Sequence, residues 1–224
     1  MSQPSRIYFD QFDVDARLAE LGLKHEIFET AAKENYAAFA SCTTNHPPTF
    51  PGLSAWAEMN RSIADSLIIA RWGAKQSERN LPLVVNNTQT MAITASSGDE
   101  YTGRKEDFPG TSSAKGPCSA DFVRANKRQQ KFAFMEDPTE IRAAMKIPGR
   151  STWIYLVYRD LTHSELRHEL SRPISMSEDG HVNDWAERII FSSIPVDPEI
   201  RLVGNDNGTE GQSGEITVEI KKLS

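Results

Sequence analysis

From Ser96 to Phe132 the chain reads SSGDEYTGRKEDFPGTSSAKGPCSADFVRANKRQQKF, and its chemically active side chains concentrate there. Between Tyr101 and Met135 the cations Arg104, Lys105, Lys115, Arg124, Lys127, Arg128 and Lys131 stand against only three anions, Glu106, Asp107 and Asp121. The chain as a whole carries −6, so a segment at +4 leaves −10 on the remainder. If 119–132 is helical, Arg124, Lys127, Arg128 and Lys131 fall at i, i+3, i+4 and i+7 and form one stripe. Like charges at those spacings repel by a few tenths of a kcal/mol per pair, so such a stripe needs a purpose or a screen. The preceding glycines allow backbone N–H groups to approach a ligand closely, and the helix start at Pro117–Ser119 offers a positive dipole end. This combination suits an anion: a nucleic acid backbone, a phosphate ligand or an acidic protein surface. The plainer alternative is a solvated basic face that pairs with the chain's own carboxylates.

Other constellations are weaker. A phosphate-binding P-loop needs GxxxxGK followed by Ser or Thr, whereas GTSSAKGPCS places Lys115 before Gly116, and Pro117 lacks an N–H. Asp197, followed by Glu219 and Lys221, resembles the Asp…Glu-x-Lys pattern of restriction-type nucleases, in which two carboxylates hold a divalent cation and a lysine serves the phosphate. That resemblance implies a metal-dependent hydrolase or nuclease as the alternative function. Against it stand the ease with which so short a pattern arises and the three residues that follow Lys221 in the sequence. His163, His168 and His181 flank predicted strand ends without metal-ligand spacing, and His168 shares a face with Leu166 and Leu170, as a core histidine would. Asp99 and Glu100 are the best acid/base candidates, with two solvated loop carboxylates as the plain reading. There is no G-x-S-x-G elbow, and the two cysteines, Cys42 and Cys118, have no CxxC spacing, which points to thiols rather than a disulfide or a metal site. No cofactor signature is present and none is expected.

These groups have to be positioned by a chain of 224 residues with 38% hydrophobic and 25% charged composition, ordinary globular values. The acidic balance disfavours nonspecific attraction to nucleic acid or anionic membrane outside the basic segment. The N-terminal sequence lacks a signal-peptide pattern and no long apolar run occurs, so a cytoplasmic protein without membrane association is expected.

The first third is helical in period. DVDARLAELGL places Val14, Leu18 and Leu21 on one side, with Asp13 as a cap and Gly22 as the stop. A second helix runs through KHEIFETAAKENYAAFASC until TTNHPPTFPG ends it, and a third covers SAWAEMNRSIADSLIIARWGAK. LPLVVNNTQTMAITA reads as a hairpin about Asn86–Gln89, Ser96–Pro117 as a long loop, and a helix restarts at Ser119. Residues 152–196 read as a three-stranded antiparallel meander.

The expected fold is therefore α+β: a helical portion (1–80) packed on a mostly antiparallel sheet drawn from 81–200, in one domain spanning 1–224. A basic loop–helix insertion occupies 96–132, a flexible loop 204–215 and a terminal strand 216–223. The function read from this pattern is a noncatalytic binding or accessory protein whose 98–131 region holds an anionic partner.

Overall fold

A computed structural model describes residues 5–78, 80–132 and 149–197. The elements run β1 (Arg6–Tyr8), α1 (Gln11–Glu20), α2 (His25–Ala40), α3 (Phe50–Ile69), β2 (Gly73–Glu78), β3 (Leu81–Asn86), β4 (Met91–Ser97), α4 (Pro117–Phe132), β5 (Ser151–Asp160), β6 (Glu165–Met176), β7 (Val182–Ile190) and β8 (Ile194–Pro195). The fold is α+β, with, among the described residues, four helices and an eight-stranded mixed sheet in the order β1-β7-β6-β5-β4-β3-β2, while β8 pairs with β6. The β1–β7 and β4–β5 pairs are parallel and the others antiparallel.

Helices α1, α2 and α3 lie along one face, α1 over β1 and β7, α2 over β5 and β6, and α3 over β2, β3 and β4. Their apolar stripes close a core with Val84, Ile93, Trp153, Tyr155, Leu170 and Ile189. The opposite face is covered by α4, whose Val123 packs with Ile154, Leu156 and Trp185. Strand β5 is thus apolar at every position from Trp153 to Val157, because both of its faces are covered. The parallel β4–β5 pairing follows from the same arrangement: the chain leaves β4, crosses the second face as loop and α4, and re-enters beside it.

Several boundaries differ from the sequence reading. Asp10, not Asp13, caps α1, its carboxylate accepting the Phe12 N–H at 3.0 Å. Gly22 does end that turn, at φ +69°. Helix α3 stops at Ile69, and residues 73–75, read as its end, belong to the strand β2. Helix α4 begins at Pro117, two residues before the expected Ser119 cap, and the Ser119 N–H is taken by the Gly116 carbonyl. Strand β1 had no signal beyond three residues. The expected loop at 204–215 and strand at 216–223 lie outside the described residues.

Two prolines interrupt the sheet, and in both places a helix side chain takes over the lost pairing. β3 and β4 pair only at Val84–Ile93 and Val85–Ala92. The same register carried on would set Pro82, which has no N–H, opposite Ala95. Instead Trp56 Nε1 donates to the Ala95 carbonyl (3.0 Å) and Asn60 Oδ1 accepts the Ala95 N–H (3.3 Å). On the other face, β5–β6 pairing stops at Ile154–Ser171, short of Pro173. There the fully buried Asn126 of α4 donates to the Thr152 and Pro173 carbonyls (2.7 and 3.0 Å) and accepts the Thr152 N–H (3.0 Å). Asn126→Leu keeps the volume and orphans three buried backbone groups, so urea unfolding should show a loss of about 3 kcal/mol; a loss below about 1 kcal/mol would mean that Asn126 is not what seats α4.

Candidate functional site

The long loop after β4 is not open. Its base is closed by pairing of Gly98 with Thr111, and the Asp99 N–H donates to the Gly110 carbonyl at 3.1 Å. Asp99 Oδ1 and Oδ2 accept the Tyr101 and Gly110 N–H groups at 3.0 and 2.7 Å. This carboxylate, read as a possible acid/base group, clamps the loop, and burial raises its pKa above the ordinary value despite those hydrogen bonds.

Beneath the loop lies a fully buried ion pair. Arg188 on β7 meets Glu169 on β6 through Nε (3.0 Å) and Nη2 (2.6 Å), and both side chains are wholly enclosed. The remaining Arg188 hydrogens reach the loop: Nη1 donates to the Asp107 carbonyl (2.5 Å) and Nη2 to the Arg104 carbonyl (2.9 Å). Glu169 in turn accepts from the Gly103 N–H (2.9 Å) and from Ser171 Oγ (2.6 Å). Trp185 adds a bond from its indole to the Pro109 carbonyl at 2.7 Å. Two buried ions cost several kcal/mol each in desolvation unless their hydrogen-bonding capacity is met, and the loop backbone meets it. The glycines serve this docking. Gly103, at φ +74°, lies where a Cβ would sit 2.9 Å from Arg167 Cβ, and a Cβ on Gly98 would meet Thr102 Oγ1 at 2.0 Å.

The expected cations are consequently distributed. Lys105 Nζ rests 3.6 Å from the centre of the Phe9 ring, and Arg104 lies 3.9 Å from Asp107. Lys115 is half-buried, its Nζ donates to Ser113 Oγ at 2.9 Å, and burial pushes its pKa down to about 8. On α4 cations stand together in the open. Val123 and Asn126 point to the sheet, which leaves Arg124, Lys127 and Arg128 on the exposed side. Arg124 pairs with Asp121 at 2.5 Å, whereas no described carboxylate lies within ion-pair distance of Lys127 or Arg128. The Lys131 side chain lies outside the described residues. The loop reaches β6 at Glu169 and α4 reaches it at Pro173, roughly 13 Å apart along the strand. The buried Arg188–Glu169 pair gave no sequence signal beyond two charged residues in apolar strands, which is itself the trace of such a pair.

The other candidates do not converge. His163 Nδ1 pairs with Asp160 at 2.9 Å, His181 Nδ1 bonds the Thr111 carbonyl at 2.5 Å, and His168 is sealed in the helix-side core. Among the described residues no group of three His, Cys, Asp or Glu side chains could hold a metal ion. Asp197 follows β8 with its carbonyl 3.4 Å from the Tyr36 hydroxyl, and Glu219 and Lys221 lie outside the described residues. No disulfide joins Cys42 to Cys118. Among the described residues no helix is long and apolar enough to cross a membrane. No protein-family model matches the chain, and comparison with curated proteins and with solved structures gave no match.

His168 is a structural histidine with a measurable signature. Its Nε2 donates to the Ser192 carbonyl (3.1 Å), and Nδ1 faces the Tyr155 hydroxyl (2.8 Å), which also reaches the Phe28 carbonyl (2.7 Å). Burial, with a smaller contribution from His25, drives its pKa down to about 3, although its bond to Ser192 and the charge of Glu29 oppose this. A histidine neutral in the fold and protonated in the unfolded chain withdraws stability below the unfolded value. Stability from this group should be intact above about pH 6.5 and fall by up to roughly 4 kcal/mol as pH approaches 3. Urea unfolding of the parent and of His168→Gln across this range checks it: the variant should lose this share of the slope, and an unchanged slope would assign it to other groups.

Proposed function

We propose that the protein is a cytoplasmic, noncatalytic binding or accessory protein that holds an anionic partner on the outer side of α4. The observation that carries this reading is the exposed set Arg124, Lys127 and Arg128 on a helix keyed to the sheet by Asn126, with no described carboxylate at Lys127 or Arg128. A rigid cationic face loses little entropy on binding, and its repulsion is relieved when an anion arrives. The acidic remainder of the molecule repels an anion from other directions, so charge sets the orientation of approach.

Docking of the loop narrows the surface. Arg104 and Lys105 are engaged with Asp107 and Phe9, and Lys115 gives up part of its charge just above neutral pH. The α4 residues therefore carry most of the attraction, and the loop cations contribute at longer range.

Lys127→Glu combined with Arg128→Glu reverses the centre of the face without touching buried residues. Binding of a labelled oligonucleotide and of a polyglutamate peptide should weaken roughly tenfold or more at low salt, and the gap should close as salt rises. Addition of magnesium should bring no strand cleavage. If the doubly substituted protein folds normally and binds both polyanions as tightly as the parent, the α4 face is only a solvated surface.

A further inference from the structure

A second cationic group lies on the helix-covered face, at the β1 end of the sheet and away from α4. Arg6 on β1 and Arg172 on β6 are each register partners of Glu187 on β7, so the three side chains form one row across neighbouring strands. Above the row, Arg17 of α1 reaches down to Glu187 through Nε and, at 3.2 Å, through Nη2. Two guanidiniums, of Arg17 and Arg172, thus face one carboxylate that is almost wholly enclosed, and Arg6 shares its row from the edge strand.

The carboxylate is already spoken for. Both Glu187 oxygens bond Arg17, and Arg172 Nε stands 4.0 Å away, beyond hydrogen-bond reach. Arg172 is about four-fifths buried, its Nε is inaccessible to water, and among the described residues it has no hydrogen-bond partner. Burial holds its pKa below the ordinary arginine value, Glu187 opposes this, and the charges of Arg17 and Arg6 lower it further. Arg6 is exposed at the edge strand and also lacks a described counter-ion. Glu20, a surface carboxylate 2.6 Å from Arg17 Nη1, stands at the rim and is free to swing into water. A largely desolvated guanidinium whose Nε–H is unmet is costly, and a planar fork of N–H groups matches a tetrahedral oxyanion.

We propose that Arg6, Arg17 and Arg172 form a binding site for a phosphate group, either inorganic phosphate or the monoester of a small molecule, distinct from the α4 face. Arg172 supplies a largely enclosed guanidinium, Arg6 closes over the ligand from the edge, and Arg17, held by Glu187, fixes the floor. Glu20 yields its place at the rim.

Calorimetric titration with inorganic phosphate and with phenyl phosphate, at constant ionic strength, tests this on the full chain. Saturable one-to-one binding is expected for both, and tighter binding of phenyl phosphate identifies the monoester as the preferred form. Arg6→Gln, an exposed change that leaves the core intact, and Arg172→Gln should each weaken binding roughly ten- to a hundredfold. The Lys127→Glu/Arg128→Glu protein should bind phosphate as the parent does, which separates this site from the α4 surface. Absence of saturable binding, equal affinity in Arg6→Gln, or loss of binding only in the α4 variant would each overturn the proposal.

Discussion

The buried Arg188–Glu169 ion pair is the constraint around which the second face of the sheet is arranged. Neither ion touches water, so each must find its partners within the protein. Glu169 and Ser171 come from the sheet, but the carbonyls of Arg104 and Asp107 and the N–H of Gly103 come from the loop. If the loop lifted away, two charges would remain in a hydrophobic layer beside Trp185 with their donors and acceptors unmet. The pair and the loop are therefore ordered together. A segment whose composition suggests mobility is thereby held as part of the fold.

The same logic recurs at smaller scale where prolines break strand pairing. Ala95 opposite Pro82 is completed by Trp56 and Asn60 of α3, and Thr152 opposite Pro173 is completed by Asn126 of α4. Each helix is thus attached to the sheet by directional bonds as well as by apolar contact, which fixes its rotation about its own axis. For α4 this has a functional consequence. Seating Asn126 beneath the helix puts Lys127 and Arg128 on the solvent side, and the positions of those charges follow from one buried amide.

Much of the architecture was legible in the sequence. The periods of α1, α2 and α3, the hairpin about Asn86–Gln89 and the three strands β5 to β7 all announced themselves through apolar spacing and turn residues. The α4 stripe was legible too, because helical geometry alone places Arg124, Lys127 and Arg128 together. β2 and the parallel β4–β5 and β1–β7 pairs left no local mark, since strand order is settled by which faces are covered. The docking of the glycine-rich loop onto its own sheet was not legible. Its glycines promised close backbone approach, and they deliver it, but toward Arg167, Thr102 and the buried ion pair of the same chain. The Arg6–Glu187–Arg172 row was invisible for a similar reason: residues 166 positions apart meet only through strand register.

The loop from Gly98 to Thr111 belongs to the cooperative fold because Arg188 and Glu169 depend on it. Native-state hydrogen exchange of the Gly103, Gly110 and Thr111 amides, followed through increasing denaturant, measures this directly. These amides should exchange with the free energy and denaturant dependence of the central β6 amides, and Arg188→Met should lower the protection of the loop first. Exchange of the Gly103 amide at a small free energy insensitive to denaturant would contradict it, because the loop would then open while the ion pair beneath stayed buried.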